Sequence, residues 1–136
     1  MQTDGRRAKE AVFSVVFRRV PAVLAVAYAV ALVAGTHSLR APQPPIRFEH
    51  ADKLMHFVGY LLFAAIVALA MRAAGPWTRW GRLRLAAVLV LFAAIDEITQ
   101  PFFSRNAELL DWVADCAGIA VGIWITSAVA KMLGRA

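Results

Sequence analysis

Residues 52–71 read DKLMHFVGYLLFAAIVALAM, and two patterns are superimposed in them. From position 54 to 71 the chain is almost wholly apolar. At a rise of about 1.5 Å per residue such a run covers about 27 Å as a helix, close to the hydrocarbon core of a bilayer at about 30 Å. Near its start Asp52, His56 and Tyr60 recur at steps of four, which a turn of about 100° per residue places within about 80° of one another. Taken alone, Asp52 reads as a helix cap or dipole partner and His56 as an interfacial side chain. Taken together, the three form a polar stripe on the first turns of a membrane-spanning helix.

Three further apolar runs stand beside this one, so that helices are expected over about 17–36, 54–71, 82–100 and 112–132. A chain of 136 residues that is 60% hydrophobic is richer in apolar side chains than a soluble domain usually is. The fold class is therefore an all-α integral membrane protein, four transmembrane helices in one bundle over 17–136, preceded by a basic arm over 1–16. Ala27-Tyr28-Ala29 resembles a signal cleavage site, but the apolar run continues unbroken to Gly35, so the first run is read as a span. Between the first two helices Pro42, Pro44 and Pro45 predict a stiff extended connector, and Gly75-Pro76 with Trp77 and Trp80 predict a short interfacial turn before the third helix.

The net charge of +6 does not indicate nucleic acid, because the basic residues sit at the ends of the apolar runs. Arg6, Arg7, Lys9, Arg18 and Arg19 precede the first helix, Arg72, Arg79, Arg82 and Arg84 flank the second turn, and Lys131 and Arg135 close the chain. Only Arg40, Arg47, Lys53 and Arg105 fall in the other two connectors. Eleven against four in short loops places both termini in the cytoplasm by the positive-inside rule. Cys116, alone in the fourth run, has no partner for a disulfide within the chain and reads as a small packing residue.

The third helix ends in Asp96-Glu97-Ile98-Thr99-Gln100. Glu97 and Gln100 lie about 60° apart on the wheel, on the side that carries Ala93 and Ala86. A carboxylate there meets the negative end of the helix dipole and gains nothing locally, so Glu97 is expected to meet a proton, a cation or a donor from another helix. The fourth helix opens with Asp111, Asp115, Gly118 and Gly122 within about 60°. Gly118 and Gly122 make a GxxxG packing face; Asp111 has an alternative reading as a cap. Ionisable groups inside a membrane usually face a bundle interior or a watery cavity. The start of helix two, the end of helix three and the start of helix four share one side, so a single extracytoplasmic pocket of Asp52, His56, Tyr60, Glu97, Gln100, Asp111 and Asp115 is expected, with Lys53 and Arg105 at its rim.

The same residues carry a resemblance to VanZ-like membrane proteins, a family named for an accessory protein of teicoplanin resistance. Asp52-Lys53-x-x-His56-Phe57-x-x-Tyr60 is similar to the family's first motif. Glu97-x-x-Gln100 followed by Arg105, Asp111, Asp115 and Gly118 is similar to its second. The chain departs from the family where Pro101-Phe102-Phe103-Ser104 replaces a Pro-Gly before the arginine, which leaves the reach of Arg105 open. The resemblance implies a four-helix membrane protein associated with the cell envelope or an antibiotic response, and supplies no reaction.

Three functions fit these residues. A binding protein would recognise an envelope lipid or a glycopeptide-related ligand, with Lys53 and Arg105 on a phosphate and the remaining polar groups on sugar, amine or peptide. An enzyme would use Glu97 or His56 as acid or base on a lipid-linked substrate. A cation or proton pathway would need polar residues through the inner halves of the helices, which hold almost none. A His with several carboxylates could also ligate a divalent metal, but with no HExxH, CxxC or other compact ligand motif in the sequence that version of the enzyme is the weaker one, and no metal and no cofactor are expected; the partners expected are membrane lipids, including an envelope lipid or lipid-linked precursor.

Overall fold

The computed structural model describes residues 2–38, 50–103 and 105–134, with side chains of the first helix described at position 15 and from 19 onward. The proline-bearing connector with Pro42, Pro44, Pro45, Arg40 and Arg47 lies outside the described residues, as do Ser104, Arg135 and the side chains of Arg6, Arg7, Lys9 and Arg18. Four α-helices account for nearly all the rest: α1 (Gln2–Thr36), α2 (Ala51–Ala74), α3 (Arg79–Thr99) and α4 (Leu109–Met132), with a 3₁₀ turn over Gln100–Phe103. All four contain a stretch long and apolar enough to cross a membrane.

Each helix extends beyond its apolar run, because a hydropathy reading measures the bilayer whereas a helix stops where its hydrogen-bond ladder is interrupted. Residues 2–16, read as a separate arm, continue α1 as helix, and Pro21 is contained within it. α2 begins at Ala51 and ends before Gly75-Pro76, where the Gly75 N–H donates to the Met71 carbonyl at 3.1 Å. α3 begins at Arg79 because the Thr78 side chain accepts from the Gly81 N–H at 3.0 Å. Pro101 has no N–H to give the Glu97 carbonyl, and the Gln100 N–H takes that carbonyl instead, tightening the chain into the 3₁₀ turn. Across that turn the Gln100 amide donates to the Glu97 carboxylate at 2.9 Å.

α2 and α4 run parallel and form the tightest pair. A Cβ added at Gly118 would strike the Phe57 carbonyl oxygen and lie 2.9 Å from the Leu61 nitrogen; one at Gly122 would strike the Leu61 carbonyl oxygen and sit 3.0 Å from the Ala64 Cβ. The GxxxG face thus packs within the chain, backbone against backbone. α1 lies on the other side of α2, where the Tyr28 hydroxyl donates to the Gly59 carbonyl at 3.1 Å. Val23, Leu24, Val26 and Val30 of α1 are exposed, as suits a lipid-facing helix. Tyr60, Phe63, Ala64, Ala68, Leu85, Leu89, Ala93, Ile119 and Ile123 form the core, with Phe63 set among the rings of Tyr28, Tyr60 and Phe92.

Candidate functional site at one end of the bundle

The ends of α1 and α3 and the starts of α2 and α4 meet at one end of the bundle, and the carboxylates of α2, α3 and α4 gather there with His37 and His56. Three layers of contact can be followed from the core outward.

The first joins α1, α2 and α3 around Asp96. Its Oδ2 accepts from the Tyr60 hydroxyl at 3.1 Å and its Oδ1 from the Thr36 hydroxyl at 3.0 Å, with His37 Nδ1 at 3.4 Å from Oδ1. His37 Nε2 lies 2.9 Å from the Thr99 hydroxyl. Tyr60 is completely buried, so the carboxylate satisfies a phenol that would otherwise lack a partner in an apolar core.

The second layer joins α2, α3 and α4. His56 Nδ1 lies 3.0 Å from Asp115 Oδ1. Glu97 accepts from the Gln100 amide at 2.9 Å through Oε2 and from the backbone N–H of Glu108 through Oε1. All four of these side chains are buried, and two acceptor oxygens among them, Asp115 Oδ2 and Gln100 Oε1, have no hydrogen-bond partner. One ligand atom each of His56, Glu97 and Asp115 falls within 4.8 Å of the other two.

At the rim, Lys53 Nζ donates to Glu108 at 2.8 Å, to Asp111 at 3.0 Å and to Asp52 at 3.1 Å. An ammonium has three N–H donors, and all three are used here. The Lys53 expected to reach a phosphate is instead clasped by carboxylates. Asp52 and Asp111 also differ from their capping readings, since the residues at the cap positions are His50 and Glu108 and neither makes a side-chain cap bond. The helices start at Ala51 and Leu109, so Asp52 and Asp111 lie within the first turns, beyond the cap positions, where both also meet the Lys53 ammonium.

The structure therefore brings together His56, Tyr60, Glu97, Gln100, Asp111 and Asp115. It leaves Asp52 outside that group, exposed and held only through Lys53, because it lies a full turn above His56. Arg105 is half-buried at the rim and joins through its backbone, whose N–H donates to the Gln100 carbonyl at 3.3 Å. Gly118 and Gly122 serve the α2–α4 contact beneath. Thr36, His37, Asp96, Thr99 and Glu108 belong to the network without having been singled out from the sequence. Asp96 carried the one available signal, a second carboxylate in an apolar run; Thr36 and His37 stand where the first span ends and carried none.

No curated protein and no solved structure matches the chain. The family model described as VanZ/LLP1 matches residues 6–130, a stretch that includes every contact of the three layers and the α2–α4 packing face. With most of its length matched, this multi-pass membrane chain belongs to the VanZ/LLP1 family.

Proposed function

We propose that the protein binds the polar head of an envelope lipid, or a glycopeptide-related ligand of similar chemistry, in the pocket at this end of the bundle, and that the pocket opens on the extracytoplasmic side. The observation that carries the reading is the pair of buried acceptors without partners, Asp115 Oδ2 and Gln100 Oε1. Buried polar groups are almost always satisfied, and one left unsatisfied costs about 1–3 kcal/mol. Two such acceptors on residues of one buried cluster suit a ligand that brings donors, such as the hydroxyl or amine groups of a lipid head. The helices around them supply an apolar surround for acyl chains. The excess of basic residues at the opposite end supports the extracytoplasmic side.

Native mass spectrometry of protein released from host-membrane nanodiscs tests this reading. Wild type is expected to retain a defined envelope lipid that folded Glu97→Gln and His56→Ala variants lose. The same nonspecific lipids on all three would overturn it.

The His56–Asp115 contact favours a second reading, an enzyme acting on a lipid-linked substrate. A carboxylate on one imidazole nitrogen orients the ring and leaves the other free for proton transfer. In that case His56→Ala abolishes turnover while lipid retention survives. The aromatic and aliphatic core below the pocket, with Phe63, Ala68, Leu85 and Leu89 buried, gives an ion pathway less support.

A further inference from the structure

Two acidic clusters stack at the polar end, and they differ in how their charge is met. The outer one, Asp52, Glu108 and Asp111, surrounds the ammonium of Lys53. The inner one, His56, Glu97 and Asp115, is buried more deeply, and its contacts run to its own members, to Gln100 and to one backbone N–H. Burying carboxylates is costly unless they are paired or coordinate a metal. The outer cluster has a cation from the chain; the inner cluster has the ligands for one.

We propose that His56, Glu97 and Asp115 hold a divalent first-row metal ion of the Mn²⁺ or Zn²⁺ kind. Four observations converge on it. The three residues come from three different helices, α2, α3 and α4, so the site is set by the tertiary fold. Their ligand atoms lie within 4.8 Å of one another, and metal bonds of about 2.1 Å place ligands roughly 3.4 Å apart in a tetrahedron and about 4.2 Å apart across an octahedron. Asp115, only 1% exposed, keeps one carboxylate oxygen without a partner, and wholly buried Gln100, whose amide donates to Glu97, keeps its own oxygen without one. One imidazole and two carboxylates make a mixed nitrogen and oxygen set, which suits Mn²⁺ and Zn²⁺ and offers nothing to metals that need thiolates. A sequence scan for compact ligand motifs overlooks such a site, because positions 56, 97 and 115 are far apart in the chain.

A divalent ion balances the two carboxylates and leaves coordination positions open. It also resolves a difficulty in the lipid reading: a pocket dominated by carboxylates repels a phosphate, whereas a metal bound by them attracts one. The ion deepens that reading: it takes the Asp115 oxygen assigned above to a head-group donor, and the lipid head would meet the ion's open positions instead.

The test uses full-length protein, stripped of lipid and metal in detergent and titrated with Mn²⁺ alone, with free ion followed by electron paramagnetic resonance. One saturable equivalent is expected in wild type. Asp115→Asn and His56→Ala should weaken it at least tenfold, and Ser127→Ala, at the other end of the bundle, should not. Zn²⁺ should displace the Mn²⁺. Because the inner variants are liable to misfold, wild type is also melted with and without Mn²⁺; the ion should raise Tm in a concentration-dependent way that EDTA reverses. No saturable Mn²⁺ and no rise in Tm in folded wild type overturns the site, and so does equal affinity in folded Asp115→Asn. Lipid retention by EDTA-treated protein that binds no Mn²⁺ overturns the ion and leaves the lipid reading standing; Mn²⁺ bound by a protein that retains no defined lipid does the reverse.

Discussion

Asp96 and Glu97 are neighbours in sequence and serve different helices. A step of about 100° turns Asp96 toward Thr36 of α1 and Tyr60 of α2, and Glu97 toward Gln100 and the start of α4. The wheel gives that angle but not which neighbour stands at each side, so the polar side of α3 that carries Glu97 and Gln100 could be read from sequence and the partners of Asp96 could not. Two predictions belong at this scale. Tyr60→Phe removes one donor to Asp96 while Thr36 keeps another; interhelical hydrogen bonds in membranes contribute about 0.6 kcal/mol on average and up to about 1.7. A loss of roughly 1 kcal/mol is therefore expected in reversible unfolding in mixed micelles, and no loss would mean that the Tyr60–Asp96 bond does not form. For Lys53, Asp52→Asn removes a half-exposed partner and should cost less than about 1 kcal/mol, whereas Lys53→Met strands the buried Asp111 and should cost several times more. Equal effects in the same assay would show that the clasp is only a surface ion pair.

At the scale of the helix, glycine placement separates contacts that can yield from contacts that cannot. Gly118 and Gly122 face the backbone of α2, whose carbonyl oxygens cannot move aside, while a Cβ at Gly59 would meet only the Leu32 Cδ1 of α1 at 3.1 Å, the far end of a flexible side chain. Gly118→Ala and Gly122→Ala should each force α2 and α4 apart and lower stability by about 1–3 kcal/mol, and should also disturb the buried polar cluster, since the His56–Asp115 contact lies next to this packing face. Gly59→Ala should cost less than about 1 kcal/mol and leave the pocket intact. Thermal melts in nanodiscs, with the ligand measurement made on the same samples, distinguish the two classes; a Gly59→Ala as damaging as Gly118→Ala would contradict the packing described. The GxxxG signature announced a close face but left open whether its partner was another copy of the chain. The answer lay in α2, which meets Gly118 and Gly122 through the backbone of Phe57, Leu61 and Ala65 and the small side chain of Ala64.

For the whole molecule, the sequence makes the four spans legible because hydrophobic length is a one-dimensional property, and it makes the gathering of polar residues at one end legible because alternating spans decide which helix ends share a side. It does not make legible the parallel pairing of α2 with α4 or the entry of Thr36 and His37 into the polar network, since both depend on lateral order in the bundle, and lateral order leaves no periodic trace. Orientation in the membrane rests on the charge count alone and can be tested separately. In a Cys116→Ser background, Phe102→Cys places a thiol at an exposed position beside the pocket, and Trp80→Cys places one at an exposed position at the other end. With the basic end in the cytoplasm, a membrane-impermeant maleimide applied to intact cells should label position 102 and spare position 80 until the membrane is opened. The reverse pattern would turn the polar cluster toward the cytoplasm. It would leave the network, the packing and the metal ligands as described, but it would remove the case for an outer-leaflet ligand and direct the search to lipid heads and soluble ions of the inner side.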